Sequence, residues 1–395
     1  MKSGEYNEDA LYIWQQDDWP HWRFDVAQLA APLAAVHRAQ GRLAGRMEAI
    51  ALPERRLAAL QVLSHEVLTT SEIEGELLPL DTVRSSFARR LNVDIGALMP
   101  ADRLVDGVVD MVLDATQAYA QPLTAARLQR WQAGLFPAES AGTSFTTSFN
   151  PVAPERWRTD ANGAMQVVSG AVGRQTVYFE APPAAQLDAE MQAFLTWFNA
   201  QNNAETSSEA SAHTSIDPVL KAGLAHLWLV TIHPFDDGNG RIARAVGDMA
   251  LARAEQSSQR FYSLSAQIQR ERLAYYTLLE ETQKGTLAVT AWLSWFLACL
   301  LRAITAADAT LSLVLAKSRF WQRWAETALN PRQVKLINRL LDGFDGKLTS
   351  SKWAAIAKCS PDTALRDIQD LQERGILHKS AAGGRSTSYE LATII

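Results

Sequence analysis

The residues best suited to catalysis lie in one short stretch, residues 233–244, with the sequence HPFDDGNGRIAR. His233 is the side chain of this stretch whose charge changes near neutral pH without help, which makes it the natural general base. Asp237 offers hard carboxylate oxygens, the ligand type that Mg²⁺ takes alongside phosphates. A base beside a metal-seeking carboxylate suits the handling of a nucleotide triphosphate.

The glycines and arginines of the same stretch are suited to holding phosphate. Gly238 and Gly240 flank Asn239, and residues that tolerate positive φ let successive backbone N–H groups point at one anion. Arg241 and Arg244 share one face if a helix begins at this turn. Arginine makes forked, charge-assisted contacts to phosphate, and a helix N-terminus adds a partial positive charge. The stretch therefore predicts a phosphate-binding turn at the start of a helix.

The stretch resembles the signature of the Fic family, His-x-Phe-x-Asp/Glu-Gly-Asn-Gly-Arg-x-x-Arg, and every fixed position is filled. The resemblance implies a mainly α fold: a helical core with a β-hairpin flap. It also implies an enzyme that moves AMP from ATP onto a Ser, Thr or Tyr hydroxyl of a target protein, itself included. His233 would be the base, and Asp237 would hold Mg²⁺. A plain His-Pro turn that caps a helix would need none of these charged residues.

The same resemblance assigns the residues around ATP. The backbone N–H groups of Gly238, Asn239 and Gly240 would cradle the β-phosphate region. Arg241 would neutralise the departing phosphates, and Arg244 would hold the γ-phosphate. A flap strand and a helix would border the rest of the nucleotide through Thr176, Val177, Tyr178, Phe179, Tyr275, Tyr276 and Gln283. The alternative for the tyrosine pair is packing in a helical core, and Gln283 stands where some relatives have asparagine.

A second motif lies upstream, in residues 70–75, with the sequence TSEIEG. It resembles the family's inhibitory motif, Ser/Thr-x-x-x-Glu-Gly/Asn. The resemblance implies that Glu74 binds Arg244, keeps it from the γ-phosphate and makes the enzyme self-inhibited. Glu72, Glu74 and Glu76 also cluster, and a run of charges is typical of a solvated helix end. We favour self-inhibition because the motif lies on the correct side of a complete signature.

Composition predicts an ordinary soluble protein of two or three domains. The chain has 395 residues, of which 47% are hydrophobic and 21% charged, and its net charge is −5. Two cysteines and a polar, acidic N-terminus favour the reducing cytoplasm. The apolar stretch 287–301 is too short for a membrane span and contains Trp292 and Ser294, so a buried core helix is predicted and no membrane partner.

Patterning along the chain predicts three domains. Residues 1–50 form a small N-terminal helical domain, residues 51–310 the catalytic core with the inhibitory helix and flap, and residues 311–395 a linker helix and a C-terminal domain. Glycines that alternate with valines before residue 183 favour a β-hairpin. The resemblance implies that this flap binds the target's backbone by strand addition, and a surface hairpin without a ligand is the alternative. The polar run 201–215 favours a mobile loop.

The C-terminal segment resembles a winged helix-turn-helix domain. Helices are predicted at residues 349–357 and 363–374, with a turn between them, and two strands follow. Contacts to DNA would come from Lys358, Ser360, Thr363, Arg366 and, on the wing, Arg385. The second helix also carries Asp362, Asp367, Asp370 and Glu373, so DNA and a docked protein are equal alternatives as the partner.

The sequence leaves other functions open. The same site could remove AMP from a modified protein, with Glu74 positioning the attacking water. The chain could instead be a transcription regulator that acts through the winged helix and only senses nucleotide. An intact His233 and Asp237 argue against the regulator, because a sensor needs no base. The target protein, its modified residue and the formation of a homodimer are not determined by the sequence.

Overall fold

The computed structural model describes residues 11–48, 50, 52–95, 98–137, 156–161, 163–169, 174, 176–200, 216–341, 347–380 and 387–392. The predicted loop at 201–215 lies outside these ranges. The chain divides into two units, Met1–Ala307 and Asp308–Ile395. Helices dominate the described residues of both units. The mainly α fold predicted from the sequence is therefore confirmed.

The first unit is a helical assembly with one hairpin between its fifth and sixth helices. Its helices, in chain order, are α1 (Val26–Glu48), α2 (Leu52–Ile73), α3 (Leu80–Leu91), α4 (Arg103–Gln117), α5 (Ala125–Leu135), α6 (Leu187–Asn199), α7 (Pro218–Ile232), α8 (Asn239–Glu255), α9 (Leu264–Arg270), α10 (Arg272–Gln283) and α11 (Thr290–Arg323). The unit boundary falls within α11. α7 packs along α8, and α2 packs against α3 and α9. These contacts bring the upstream helix α2 close to the signature.

The central helix α7 is buried on every face, which explains its uniformly apolar sequence. Pro218 occupies its first turn, and the side chain of Asp217 caps it by accepting from Val219 N at 2.8 Å. α11 approaches α7 closely at Gly223, whose carbonyl accepts from Trp292 Nε1 at 2.9 Å. These contacts fix the helix that ends at His233.

The apolar stretch 287–301 was predicted to be too short for a membrane span, which was wrong about length: the first part of α11, Thr290–Asp308, is long and apolar enough to cross a membrane. Several of its large side chains are nevertheless fully buried inside the first unit: Trp292, Leu293, Phe296 and Leu297. We therefore interpret this segment as a core helix of the folded unit.

The flap is a two-stranded antiparallel hairpin of β1 (Gln166–Ser169) and β2 (Thr176–Glu180). The predicted hairpin is thus confirmed. Both strands are largely exposed, but Phe179 is 1% exposed and packs edge-to-face on Tyr12 with ring centroids 5.2 Å apart. Trp14 Nε1 donates to the Glu180 carbonyl at 2.8 Å. The N-terminal segment therefore holds one end of the flap strand.

The second unit contains α12 (Pro331–Leu341), α13 (Ser350–Ala357), α14 (Pro361–Glu373) and the antiparallel strands β3 (Leu377–Lys379) and β4 (Tyr389–Leu391). The second helix of the pair was predicted to begin at residue 363, and this start was wrong. α14 begins at Pro361 because Ser360 Oγ accepts from Thr363 N at 3.2 Å and proline fits the first helical position. The element order is the one that a winged helix requires, and that assignment stays a prediction.

The polar residues of α14 are only partly available to a ligand. Arg332 Nε donates to Asp367 Oδ2 at 2.9 Å, and Gln333 Nε2 donates to Asp370 Oδ2 at 2.7 Å. Two of the acidic residues that argued against DNA are therefore bound within the unit. Lys358, Ser360 and Arg366 are exposed, Thr363 is half-buried, and the wing residue Arg385 lies outside the described residues.

Candidate active site

The C-terminal end of α2 delivers two glutamates to the signature. α2 ends at Ile73, and Gly75 adopts a left-handed conformation with φ +86. Glu76 N then donates to Ser71 O at 3.0 Å, which closes a Schellman-type cap. The chain reverses at this cap, so that Glu74 and Glu76 both reach α8. We call residues 70–76 the acidic turn.

Arg244 is held by the acidic turn. Its side chain is 3% exposed, and Nη2 donates to Glu74 Oε1 at 2.7 Å and to the Thr70 carbonyl at 2.8 Å. Its Nε donates to Thr70 Oγ1 at 2.7 Å. Burial alone raises the pKa of Glu74, but the charge and hydrogen bond of Arg244 reverse this and hold that pKa below its usual value. Glu74 is therefore ionised and paired at neutral pH.

Arg241 has a carboxylate partner that the sequence analysis did not assign. Its Nη1 donates to Glu76 Oε2 at 2.5 Å, and its guanidinium lies 5.3 Å from the centroid of the Phe136 ring. Its Nε is buried and has no hydrogen-bond partner among the described residues. The pairing was missed because it depends on the chain reversal at Gly75, which motif spacing does not specify.

Gly240 is the point where the two motifs touch. A Cβ at this position would lie 2.1 Å from Glu74 Oε1 and 3.3 Å from Arg244 Nη1. Any side chain at this position would force the carboxylate of Glu74 to shift. Glu74 therefore occupies space at the N-terminus of α8, where the positive helix end and its N–H groups would hold phosphate.

His233 ends α7 in a left-handed conformation, with φ 53 and ψ 59. Its Nδ1 donates to the Val230 carbonyl at 3.1 Å; the carbonyl can only accept, so the Nδ1 proton is fixed and Nε2 keeps its lone pair. Burial lowers the pKa of His233 to about 4. The ring is therefore neutral at pH 7 and can accept a proton through Nε2.

The loop between His233 and α8 is fixed by its own side chains. Asn239 Nδ2 donates to the Phe235 carbonyl at 2.8 Å, and its Oδ1 accepts from Phe235 N at 3.0 Å. Phe235 is 0% exposed and anchors the loop in the core. Gly238 has φ +85, and a Cβ there would lie 3.0 Å from Phe136 Cε2. The backbone N–H groups at the start of α8 are thus held in place before any ligand binds.

Arg158 fastens this loop to the chain that follows the flap. Its side chain is fully buried, with Nε donating to the His233 carbonyl at 2.7 Å and Nη2 to the Pro182 carbonyl at 2.5 Å. Its backbone N also donates to the Pro234 carbonyl at 2.9 Å. The sequence analysis missed Arg158, because a lone arginine far upstream carries no motif.

Asp237 is the candidate Mg²⁺ ligand. Its Oδ1 accepts from Gly238 N at 2.6 Å. Burial raises its pKa, and the charge of Arg241 opposes that rise. Within the described part of the chain, no group of three or more His, Cys, Asp or Glu side chains could hold a metal. A single carboxylate fits Mg²⁺, which binds through one or two carboxylates and takes its other ligands from phosphates and water.

The residues predicted to contact the nucleoside are not equally placed. Tyr276 is 37% exposed, and the guanidinium carbon of Arg272 lies 5.6 Å from the centroid of the Tyr276 ring. Tyr275 is 1% exposed, and its hydroxyl is 2.9 Å from His226 Nε2. Gln283 is 4% exposed and donates to Thr231 Oγ1 at 3.2 Å. Tyr276 is the most exposed of the three, and nucleotide contact by all three stays a prediction.

The flap residues divide in the same way. Thr176 and Val177 are exposed, and Tyr178 is half-buried with its hydroxyl 2.8 Å from Ser169 Oγ across the hairpin. Phe179 points into the cluster with Tyr12. A nucleotide or peptide that lies on this strand would therefore meet Thr176, Val177 and Tyr178 before Phe179.

Comparisons with known proteins point to the same family as the signature. Residues 122–251 match the Fic/DOC family, and residues 12–93 match a domain of unknown function (DUF4172). The chain is 29% identical over 143 residues to "Protein adenylyltransferase Fic" of Drosophila grimshawi, covering 33% of this chain and 28% of that protein. It is 38% identical over 72 residues to "Uridine 5'-monophosphate transferase" of Xanthomonas campestris pv. campestris (strain 8004), covering 18% of this chain and 12% of that protein.

The chain thus spans less than a third of the length of these relatives. The crystal structure of a Fic family protein from Desulfovibrio desulfuricans G20 has a similar fold. The TM-score is 0.50 at 18% identity, and the match covers 92% of this chain and 95% of that one. The complete signature and the family match identify a Fic domain at residues 122–251, and the fold of the chain is similar to that of a Fic family protein.

Proposed function

We propose that the protein transfers AMP from ATP to a hydroxyl group of a protein, itself included. The observation that carries this proposal is the set of groups at the N-terminus of α8. His233 supplies a neutral base at the end of α7, and the same motif supplies the carboxylate of Asp237 and the buried guanidiniums of Arg241 and Arg244. The relatives named adenylyltransferase and uridine monophosphate transferase support nucleotidyl transfer as the reaction class.

The proposed reaction is a single displacement at the α-phosphorus of ATP. The target's hydroxyl oxygen bonds to that phosphorus while His233 Nε2 takes the hydroxyl proton. The bond from the α-phosphorus to the bridging oxygen of the β-phosphate breaks, and pyrophosphate leaves with the electron pair. Arg241, Arg244 and the N–H groups at the start of α8 stabilise the charge on the phosphates. Asp237 would hold Mg²⁺, which neutralises phosphate charge when bound.

The proposal includes self-inhibition by Glu74. Its carboxylate binds Arg244 and fills the space next to Gly240, at the helix end that would receive phosphate. Arg244 is then not free to bind the γ-phosphate. The negative charge of Glu74 also lies where phosphate oxygens would bind and would repel them. Transfer by the wild-type chain should therefore be slow, and loss of the Glu74 carboxylate should expose the activity.

The test uses ATP labelled at either end of the triphosphate. Wild type, Glu74→Gly and the double variant Glu74→Gly/His233→Ala are incubated with α-labelled or γ-labelled ATP. We expect the α-label to remain on the Glu74→Gly protein and to be lost with His233→Ala. Retention of the γ-label would instead indicate phosphate transfer. α-Labelled UTP is compared in parallel, because one relative is named a uridine monophosphate transferase.

Removal of AMP is a second candidate because of where Glu74 lies. Its side chain keeps 31% of its surface exposed while it binds Arg244, and its charge acts on His233. A water molecule between these two groups could attack a protein-bound AMP. Wild-type protein mixed with α-labelled Glu74→Gly product tests this: release of labelled AMP supports removal, and a stable label excludes it for that product.

A further inference from the structure

The acidic turn contains a second ion pair with the signature. Glu76 binds Arg241 as Glu74 binds Arg244, with nitrogen–oxygen distances of 2.5 Å and 2.7 Å. The geometry points to Glu76 as a second inhibitory residue, which keeps Arg241 from phosphate as Glu74 keeps Arg244. The inference rests on the proposed function, because it assigns both arginines to the phosphates of the nucleotide.

One backbone feature directs both carboxylates to the same helix end. Gly75 is left-handed, and its N donates to Glu72 O at 2.9 Å while Glu76 N donates to Ser71 O at 3.0 Å. The chain reverses between the two glutamates, so the side chains on either side of Gly75 both reach α8. The two arginines of α8 are one turn apart on one face. Each arginine therefore receives one glutamate from a single cap.

Arg241 keeps donor capacity that Glu76 does not use. A guanidinium presents five N–H donors in a planar fork. The side chain of Arg241 is 6% exposed, Nη1 binds Glu76, and Nε has no partner among the described residues. A buried unpaired donor is unfavourable, and a phosphate group has enough oxygens to satisfy both edges of the fork. Once Glu76 has moved away, Arg241 could therefore bind phosphate through both edges of its fork.

Both pairs must open before a triphosphate can bind both arginines. Each signature guanidinium already holds a carboxylate, so ATP has to displace Glu74 and Glu76 from two buried partners. Glu76 also lies in the electrostatic field of Asp237, the proposed Mg²⁺ ligand. Removal of Glu74 alone would therefore free Arg244 and leave Arg241 paired. On this account, Glu74→Gly gives only part of the available activity.

The experiment compares charge removal at three glutamates of the same segment in the full chain. The proteins are Glu76→Gln, Glu74→Gly, their double variant and the control Glu72→Gln, which neutralises an exposed side chain. Calorimetry measures the Kd of MgATP, and α-labelled ATP measures the rate of auto-modification. We expect Glu76→Gln alone to tighten ATP binding about tenfold, equivalent to ~1.4 kcal/mol. The double variant should label itself severalfold faster than Glu74→Gly, and Glu72→Gln should change neither quantity.

An ATP affinity of Glu76→Gln within twofold of wild type, or a weaker one, would overturn the inference. A weaker affinity would mean that Glu76 orients Arg241 for phosphate. Glu76→Ala repeats the comparison with a different side chain, and circular dichroism verifies that each protein is folded. If Glu76→Gln tightens ATP binding but Glu74→Gly never retains the α-label, the role of Glu76 stands and the proposed transfer fails.

Discussion

At the scale of single residues, the site consists of buried charges that satisfy one another. Arg241 and Arg244 are almost fully buried, and each has one carboxylate partner from the acidic turn. Loss of either glutamate would leave a buried guanidinium without its carboxylate, which is unfavourable. What binds the two arginines therefore determines the state of the site: glutamates at rest, phosphates in the reacting complex.

His233 is expected to titrate near pH 4, because burial lowers its pKa to about 4. Its pKa in the unfolded chain is about 6.5. The neutral ring therefore contributes to the stability of the fold above about pH 6.5. This contribution to stability is lost as the pH falls toward 4. NMR titration of the ring resonances measures the pKa, with His233→Ala for assignment. A midpoint near 6.5 would contradict the lowered pKa of this base.

Gly240→Ala tests the contact between the two motifs. The new Cβ would lie 2.1 Å from Glu74 Oε1, so the carboxylate has to move away from Arg244. We expect the free energy of unfolding to fall by roughly 1–3 kcal/mol. The same substitution should cost less in the Glu74→Gly protein, where the clashing atom is gone. Denaturant unfolding of the four proteins measures this coupling, and equal costs in both backgrounds would show that Glu74 does not fill this space.

How far the site could be predicted depends on whether its residues are contiguous. The residues from His233 to Arg244 form one motif, so their types and spacing predicted a base, a metal ligand and a phosphate-binding turn. Glu76 and Arg158 reach the site from other parts of the chain. Their contacts depend on the cap at Gly75 and on the path of the flap, and neither follows from spacing along the sequence.

At the scale of elements, three helix ends meet at the site: the C-termini of α2 and α7 and the N-terminus of α8. Left-handed residues make this possible, namely Gly75 after α2, His233 after α7 and Gly238 before α8. The apolar pattern predicted α7 and a helix after the signature. It could not predict the conformation of His233, because a residue with a side chain is uncommon at positive φ. The surrounding hydrogen bonds impose that conformation.

Gly75→Ala should weaken the acidic turn without creating a clash. A Cβ there meets nothing within 4 Å, but φ +86 is unfavourable for any residue with a side chain. We expect a strain of about 1 kcal/mol, which disfavours the turn that holds Glu74 and Glu76. Auto-modification measured with α-labelled ATP should therefore rise severalfold over wild type. A rate equal to or below that of wild type would show that the cap does not control the two ion pairs.

At the scale of the whole molecule, all the predicted ATP-binding and catalytic residues belong to the first unit, Met1–Ala307. The second unit has its own core, which includes Trp353, Ile368 and Leu371. α13, α14 and the two strands could be predicted from periodicity and turn residues, apart from the start of α14, whereas α12 was not assigned. The internal pairing of Asp367 with Arg332 could not be predicted, because it depends on how α12 packs in the unit. DNA or protein as its partner stays a prediction.

Catalysis should be separable from the part of the second unit that follows Asn330. A Glu74→Gly chain truncated after Asn330 keeps the signature, the flap and the acidic turn. We expect its rate of auto-modification to stay within about threefold of the full-length Glu74→Gly rate, a change below ~1 kcal/mol in activation free energy. Circular dichroism verifies the fold of the shortened chain. A folded truncation that loses transfer would show that residues after 330 help to build the site.

The central claim is that Glu74 restrains the enzyme by binding Arg244, and the most direct measurement is the rate of auto-modification of Glu74→Gly. Loss of the carboxylate frees Arg244 and clears the space beside Gly240. We expect the rate to rise by one or more orders of magnitude, since each ~1.4 kcal/mol gained in the transition state is about tenfold. Arg244→Ala should show no such gain, because it also removes the proposed γ-phosphate ligand. An unchanged rate in Glu74→Gly would contradict the account.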